Sequence, residues 1–365
     1  MVSLAECGWI AVYAIGFGLI LWLVALISRA GGWHPETARK TAHVSIGLIT
    51  ISFPWVFERW PPVAILGVIA AVGLFLVRRS QRLRKSVGAA LHEVDRQTYG
   101  EIFFVVAVAL VFALADGDRI LYLVPILVLT IADAAGALVG TRYGATSYRT
   151  LTGSKSAEGS VTVFFASFLA AHIPLLLFSD LSRSATLLAA FTLALLVALF
   201  EAIAFNGLDN LFIPLGGWFA LSRFMELGDD ELLFRFLVLV AVLSLVIFAR
   251  SRSSLDGSAM LGAALLGFAV WVLGGWLYFL PLLLYFASHL LETPRVRRAQ
   301  EKAQRGRRGH DLRAIFSVAA TSLLWVGLAA AFPQRDFVVA HALKVAFHIA
   351  VGNFGTLAVL RPTWG

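Results

Sequence analysis

The stretch 132–160, ADAAGALVGTRYGATSYRTLTGSKSAEGS, combines a carboxylate with regularly spaced glycines. An apolar run ends at Asp133, and Gly136, Gly140 and Gly144 follow it at intervals of three, four and four residues. A continuous helix would carry all four residues on one face. Small residues at this spacing are typical of close helix packing in a bilayer. A carboxylate within a membrane segment usually marks a functional site, so we interpret the glycine face as room for a bulky polar ligand beside Asp133.

A second group of polar residues lies in HPETARKTAHVSIG, at 34–47. A helix that starts after Pro35 would align four residues on one face, namely Glu36, Lys40, His43 and Gly47, with Arg39 beside that face. Arg39 and Lys40 also fit positive anchors at a membrane surface. A lone histidine such as His43 just inside a membrane helix is often simply packed and hydrogen-bonded, but the aligned set of Glu36, Lys40 and His43 indicates phosphate or proton handling.

The loop GSKSAEGS, at 153–160, ends the opening stretch. Lys155 provides a point charge suited to phosphate. Ser156 and Gly159 would expose backbone N–H groups at the start of the next helix, where anions bind. Ser156 and Glu158 are equally suited to capping that helix. The pattern is not a Walker loop, because GxxxxGK[ST] is absent from the chain.

A fourth group lies in EAIAFNGLDNLFIPL, at 201–215. Glu201 closes an apolar helix, and the adjacent Asp209 and Asn210 add a carboxylate and an amide. Together with Asp133, these oxygen donors suit a hard cation such as Mg²⁺. A simple turn at 206–210 is the alternative reading.

The elements that position these groups are membrane helices. Of 365 residues, 59% are hydrophobic and only 14% are charged, and the mean hydropathy is +0.83. This composition predicts an all-α, polytopic integral membrane protein with about 12 transmembrane helices. One of them, between Asn206 and Glu226, is expected to be short and broken or re-entrant, because Pro214 and two glycines interrupt it.

Basic residues gather in alternate loops, at 78–85, 142–155, 250–252 and 295–313. This positive-inside pattern places the N-terminus outside and all four polar groups at the cytoplasmic face, and we expect a bacterial plasma membrane. It also explains the net charge of +8. We expect no nucleic-acid partner, because no aromatic residues interleave with the basic linker at 292–311, which suits lipid headgroups instead. The single Cys7 excludes an internal disulfide.

The polar groups lie almost entirely before residue 215, and a serine- and arginine-rich junction follows at 249–257. We therefore expect a catalytic membrane domain at 1–253 and a second membrane module at 254–365.

The sequence resembles the CTP-dependent polyprenol kinase family of dolichol kinase, phytol kinase and yeast-type diacylglycerol kinase over roughly residues 30–250. The family's early motif, an Arg-Lys pair followed by His and Gly, resembles Arg39, Lys40, His43 and Gly47. Its nucleotide-binding motif is similar to Asp133, Gly140, Gly144, Lys155, Ser156, Glu158 and Gly159. Its Glu…Asp-Asn…Pro signature is similar to Glu201, Asp209, Asn210 and Pro214. Residues beyond 254 weakly resemble the start of the membrane family that includes phytyl-phosphate kinase, but without that family's later acidic motif, so a membrane scaffold is expected there.

The resemblance implies a kinase that moves the γ-phosphate of CTP to the hydroxyl of an isoprenoid or other lipid alcohol at the cytoplasmic membrane face. Arg39, Lys40 and Lys155 would hold phosphates, and Asp133 and Asp209, with Asn210, would hold Mg²⁺. Either Glu158 or His43 would take the hydroxyl proton. Two alternatives stay open: cytidylyl transfer to a lipid phosphate, and membrane transport with Asp133 at the substrate site.

Overall fold

A computed structural model describes residues 2–80, 99–151, 153–302, 312–332, 337–346 and 349. The described chain is almost entirely helical, as expected. The helices of its first half are α1 Leu4–Ala30, α2 Pro35–Thr50, α3 Phe53–Val56, α4 Trp60–Arg79, α5 Gly100–Ala115 and α6 Arg119–Tyr143. Those that follow are α7 Ala157–Phe178, α8 Arg183–Ile203, α9 Asp209–Phe224, α10 Asp229–Phe248, α11 Gly257–Lys302 and α12 Leu312–Ala331.

Many of these helices are long and apolar enough to cross a membrane. Among the described residues, seven helical segments meet that condition, namely α1, α4, α6, α7, α8, the segment Asp229–Arg252 and the segment Gly257–Leu291. Shorter apolar helices lie at Gly100–Ala115 and Ala320–Ala331. The chain is therefore a multi-pass membrane protein. The total of about twelve crossings stays a prediction.

A small β-hairpin departs from the all-α expectation. Strands β1 (Ser147–Thr150) and β2 (Gly153–Ser156) pair between α6 and α7, where the sequence predicts only a loop. The β-branched and aromatic residues of SYRT favour an extended backbone. The hairpin carries Lys155 back towards the start of α7.

The segment expected to be broken or re-entrant forms one short helix, α9, and Pro214 lies inside it without interrupting it. The irregular backbone comes just before α9, where Asn206 and Gly207 have φ angles of 53° and 86°. This left-handed turn changes the chain direction between α8 and α9. The expectation of a break within the helix was therefore wrong.

The chain divides into two compact units. The first comprises Met1–Ser147 with Lys155–Phe234, and the second comprises Tyr148–Ser154 with Arg235–Gly365. The division after Phe234 comes earlier in the chain than the domain boundary expected at 253/254. The boundary between a catalytic domain and a second membrane module stays a prediction. Every predicted site residue belongs to the first unit.

Two buried helices, α6 and α8, form the centre of the first unit. Helix α7 packs on both of them, and α9 packs on α5, α6 and α8. Helix α2 lies between α1 and α6. The buried Tyr122 of α6 donates its hydroxyl hydrogen to the Thr50 carbonyl at the end of α2, at 2.8 Å. This contact fixes α2 against the helix that carries Asp133.

In the second unit, α12 packs on α11. Gly275, with φ 71°, has a non-helical backbone and kinks α11. Parts of the predicted basic segments, residues 81–85 and 303–311, lie outside the described residues.

Candidate active site

A buried ion pair joins α2 to α6. Lys40 Nζ donates to Asp133 Oδ2 at 2.6 Å, and both side chains are buried. The pairing explains how a carboxylate and an ammonium group can be buried between two helices, since a buried charge requires a hydrogen-bonded counter-ion. Lys40 was predicted to hold phosphate, and here it neutralises Asp133.

His43 lies one turn further along α2 and faces the same carboxylate. Its Nε2 atom is 3.6 Å from Asp133 Oδ2 and 3.5 Å from the Leu129 carbonyl oxygen. Both neighbours can only accept, so a hydrogen on Nε2 suits this position and leaves Nδ1 as the acceptor nitrogen. The ring packs edge-on against Phe104 of α5, with 5.0 Å between centroids.

Three carboxylates converge on one point from distant parts of the chain. One oxygen each of Asp133, Glu201 and Asp209 lie within 4.8 Å of one another. They come from the middle of α6, the end of α8 and the start of α9. Carboxylate oxygens that are this close repel each other unless positive charge lies between or beside them. The cluster therefore has the donor type and the spacing of a divalent-cation site.

Lys155 provides positive charge beside Glu201, as Lys40 does beside Asp133. Its Nζ atom donates to Glu201 Oε1 at 2.6 Å and also to the backbone carbonyl of Glu201. With Lys40, two ammonium groups face three carboxylates, which leaves one negative charge if all five groups are ionised. A divalent cation is the natural complement of this excess.

Buried oxygen atoms without hydrogen bonds mark the same place. Within the described residues, Glu201 Oε2, Asp209 Oδ1 and Asn210 Oδ1 are buried and have no partner. Unpaired buried acceptors are rare, since each costs free energy. Of the eight buried side-chain nitrogen and oxygen atoms without a hydrogen bond in the described residues, two belong to the carboxylate cluster and a third to Asn210, the neighbour of Asp209 in sequence, and Mg²⁺ fits as their missing partner.

The turn before α9 is held against the start of α5. Asn210 Nδ2 donates to the Gly100 carbonyl at 3.0 Å, which directs its Oδ1 atom away from that contact. Tyr99 N donates to the Asn206 carbonyl at 3.3 Å. A Cβ atom added at Gly207 would lie 2.6 Å from the backbone of Gly100. Two glycines thus allow the close backbone approach that positions Asp209 and Asn210.

The predicted glycine face packs closely against the start of another helix, where a slot for a ligand was expected. A Cβ atom at Gly136 would overlap Val163 of α7, and one at Gly140 would lie 3.0 Å from Ser156 Oγ and 3.5 Å from Gly159 Cα. A Cβ at Gly144 would likewise meet Ser156, at 2.7 Å from its Cβ. These small residues bring α6 and α7 together, which is their usual role in membranes.

Two other predicted residues make local structural contacts. Ser156 Oγ accepts the Gly159 N–H at 3.1 Å and so caps α7. The Glu158 carboxylate accepts the Thr146 N–H at 3.0 and 3.2 Å and closes the base of the hairpin. Neither contact brings these side chains to the carboxylate cluster.

Arg39 also has a partner of its own. Its guanidinium donates to Glu36 at 2.6 and 3.1 Å. Partial burial raises the pKa of Glu36, but the hydrogen bond and the charge of Arg39 outweigh that effect and leave the pKa below its ordinary value. Gly47, further along α2, packs where a side chain would overlap Thr130 of α6.

Two residues near the site escaped the sequence analysis. Gly100 accepts the Asn210 hydrogen bond, and the adjacent Glu101 pairs with Arg78 at 3.0 Å. Tyr-Gly-Glu at the start of an apolar run was the available signal, but its proximity to Asn210 depends on a contact 110 residues apart in sequence.

Comparison with known proteins identifies the family. Phytol kinase from Synechocystis sp. is 32% identical to this chain over 212 residues, which cover 57% of this chain and 88% of the relative. Residues 240–359 match a family described as integral membrane protein DUF92. No solved structure matches the chain. The identity, together with the 88% of the relative that is covered, shows that this chain belongs to the polyprenol kinase family that includes phytol kinase.

Proposed function

We propose that the chain transfers the γ-phosphoryl group of a nucleoside triphosphate, CTP, to the hydroxyl of an isoprenoid alcohol of the phytol or dolichol type at the cytoplasmic membrane face. The observation that carries this proposal is the convergence of Asp133, Glu201 and Asp209 beside Lys40 and Lys155. Phosphoryl transfer depends mainly on positioning and on neutralisation of phosphate charge, which this set of residues provides. Phytol kinase as a relative supports the same reaction class.

The carboxylate cluster would hold Mg²⁺, with Asn210 Oδ1 as a further oxygen ligand. When bound, Mg²⁺ supplies positive charge to the triphosphate oxygens. Lys40 and Lys155 balance the carboxylates in the present arrangement. In the complex, we expect both lysines to turn towards phosphate oxygens, because the cation then balances the carboxylates.

His43 is the better candidate for the proton acceptor. It lies beside Asp133, whereas the Glu158 carboxylate is engaged with the Thr146 N–H. The alcohol oxygen would form a bond to the γ-phosphorus as the bond from that phosphorus to the β–γ bridging oxygen breaks. The hydroxyl proton would pass to His43, and the nucleoside diphosphate would leave.

The direct test uses purified protein in lipid nanodiscs with γ-labelled CTP, Mg²⁺ and a panel of phytol, geranylgeraniol, dolichol and diacylglycerol. We expect label to enter an isoprenoid alcohol, and Asp209→Asn to reduce the rate by at least about 100-fold through lost charge stabilisation. Asp180→Asn, on the loop between α7 and α8, is the matched control and should retain activity. Full activity in Asp209→Asn would contradict the site assignment.

Metal binding is measurable without turnover. Mn²⁺ as a paramagnetic probe should bind the unsubstituted protein and bind Asp133→Asn or Asp209→Asn at least about tenfold more weakly, since each change removes a charged ligand. Unchanged Mn²⁺ affinity in both variants would exclude these carboxylates as the metal site.

Product analysis distinguishes the kinase from cytidylyl transfer. The kinase releases a nucleoside diphosphate and leaves the label on the lipid, whereas cytidylyl transfer releases labelled pyrophosphate. Pyrophosphate as the nucleotide-derived product would replace the kinase assignment.

A further inference from the structure

An elongated apolar cleft lies beside the carboxylate cluster, among α1, α2, α4 and α5 of the first unit. Its volume is about 300 Å³, at the lower end of the range for ligand cavities. Hydrophobic side chains such as Phe17, Leu66 and Val108 form most of its wall. Val63 and Val77 line it 14 residues apart on α4, so it runs for roughly 20 Å along the helix.

The polar groups of the cleft gather where it approaches the site. Arg39 comes from the first half of α2 and His43 from its middle, Glu101 from the start of α5, and Asn210 from the start of α9. His43 is also the residue 3.6 Å from Asp133. Deeper along α2, Thr50 lines the wall, but its hydroxyl already donates to the Gly47 carbonyl at 2.7 Å. The cleft thus has one reactive polar end and a long apolar body.

The cleft is open towards the lipid-facing surface. Gly18 of α1 and Ile69 and Gly73 of α4 line it and are themselves exposed. The same surface of α4 presents Val68 and Val72 outward, with 63% and 52% of their surface exposed. In a bilayer, such a surface faces hydrocarbon, so an amphiphile can enter sideways without its tail passing through water.

From these features we propose that the cleft binds the hydrocarbon tail of the alcohol acceptor and sets the tail length that the enzyme accepts. The inference rests on the proposed function and adds the acceptor's binding site. An amphiphile with a single hydroxyl at one end matches a cleft that is polar only beside His43. A cleft of roughly 20 Å covers about two-thirds of the ~30 Å hydrocarbon core, so its depth selects among tails of different length.

Glycines on α4 create the space and provide the test. A Cβ atom added at Gly73 meets nothing within 4 Å, and one at Gly67 makes only ordinary contacts, at 3.5 Å from Val105 and 3.7 Å from Ala109. Both glycines line the cleft, and a Cβ atom at either position meets nothing closer than 3.5 Å, so a leucine there has room to narrow the cleft. Counted from Val77 near the polar end, Gly73 lies roughly 6 Å and Gly67 roughly 15 Å deep. Gly67→Leu should block the deep part, and Gly73→Leu should block the cleft near its polar end.

The experiment compares geraniol, farnesol and geranylgeraniol as acceptors, at saturating CTP in nanodiscs. We expect Gly67→Leu to reduce kcat/KM for geranylgeraniol by at least about tenfold while geraniol stays within about twofold, and Gly73→Leu to penalise farnesol as well. Gly16→Leu is the matched control, because its Cβ also meets nothing within 4 Å and the residue does not line the cleft. It should leave all three values unchanged.

Equal effects of Gly67→Leu on all three alcohols, or no effect of either leucine variant on any of them, would overturn the proposal while leaving the kinase function intact. An unsubstituted protein that phosphorylates none of the alcohols would overturn the proposed function and this inference with it. Photolabelling gives a measurement that needs no turnover, with a diazirine at the tail end of a farnesol analogue and no nucleotide. Adducts within 63–77 of α4 or 104–109 of α5 support the cleft, and their absence from both segments overturns it.

Discussion

At the scale of single residues, the Lys40–Asp133 pair has both a structural and a functional part. Lys40→Met would leave Asp133 without its ion-pair partner and the three clustered carboxylates with one ammonium group fewer beside them. We expect a loss of about 3–5 kcal/mol in the free energy of unfolding, because a buried charge loses its partner. Asp133→Asn should cost less, since the Asp209 carboxylate still interacts with Lys40 and the repulsion among the carboxylates falls.

Thermal unfolding in detergent, followed by tryptophan fluorescence, measures both effects. Mg²⁺ should stabilise Lys40→Met more than it stabilises the unsubstituted protein, because the cation replaces the missing positive charge. The double variant Lys40→Met/Asp133→Asn should recover most of the lost stability but no activity. Equal stability of Lys40→Met and the unsubstituted protein would show that the pair contributes nothing to folding.

The two sequence candidates for the general base differ in their surroundings, so they should differ in kinetics. We expect His43→Gln to reduce kcat by about 10²–10⁴-fold with little change in KM for CTP, as for loss of a positioned base. Glu158→Gln should stay within about threefold, because a glutamine oxygen can still accept the Thr146 N–H. Steady-state kinetics of the two variants distinguishes the candidates. A larger loss of kcat in Glu158→Gln than in His43→Gln would identify Glu158 as the general base.

The residue types of the site could be predicted from the sequence, but the contacts between their side chains could not. The oxygen donors Asp133, Glu201 and Asp209 were selected by type, since acids near the ends of apolar helices need an explanation. That Lys155 pairs with Glu201, 46 residues away, required coordinates. The contacts of Ser156 match the helix-capping alternative, because its Oγ accepts the Gly159 N–H. The Glu158 carboxylate instead accepts the Thr146 N–H.

At the scale of elements, the left-handed turn before α9 determines where Asp209 and Asn210 lie. Gly207 has φ 86° and contacts the backbone of Gly100. Gly207→Ala should cost about 1–2 kcal/mol for the backbone conformation alone, with a further penalty for the 2.6 Å collision. We expect the turn to move, Mn²⁺ affinity to fall by at least about tenfold and activity to be lost, since Asp209 is a charged ligand of the proposed site.

Gly117 offers a matched control for that change. Its φ is 88°, almost the same as that of Gly207, but a Cβ atom there meets nothing within 4 Å. Gly117→Ala should show only the backbone cost, as a small drop in thermal stability, with activity and Mn²⁺ affinity retained. If the two variants behave alike, the contact with Gly100 does not position the site.

Helix type and approximate extent followed from apolar runs, whereas the irregular elements did not. The hairpin at 147–156 lies in a short polar stretch whose length also suits a loop. Helix α9 was expected to break at Pro214 because proline removes one backbone hydrogen bond. Helices in a membrane protein tolerate that loss when neighbouring helices pack around it, and the buried Pro214 lies in a helix that packs on α5, α6 and α8.

At the scale of the whole molecule, the positive-inside pattern and the site make one joint prediction about orientation. Cys7 is exposed at the start of α1, whereas the hairpin residue Ser154 lies beyond several further spans, close in sequence to Lys155. Basic residues on the loops that carry the site predict that Cys7 faces outside and Ser154 faces the cytoplasm. A CTP-dependent enzyme also requires this orientation, since its site must face the compartment that supplies the nucleotide.

Labelling with a membrane-impermeant maleimide tests the orientation on sealed vesicles of both polarities. In right-side-out vesicles we expect the native Cys7 to react at once, and Ser154→Cys in a Cys7→Ser background to react only after the membrane is permeabilised. Inside-out vesicles should give the opposite order, which controls for intrinsic reactivity of the two thiols. Because all four polar groups lie on the same predicted face, reaction of Ser154→Cys from outside would turn the site away from cytoplasmic CTP and contradict the kinase assignment as well as the topology.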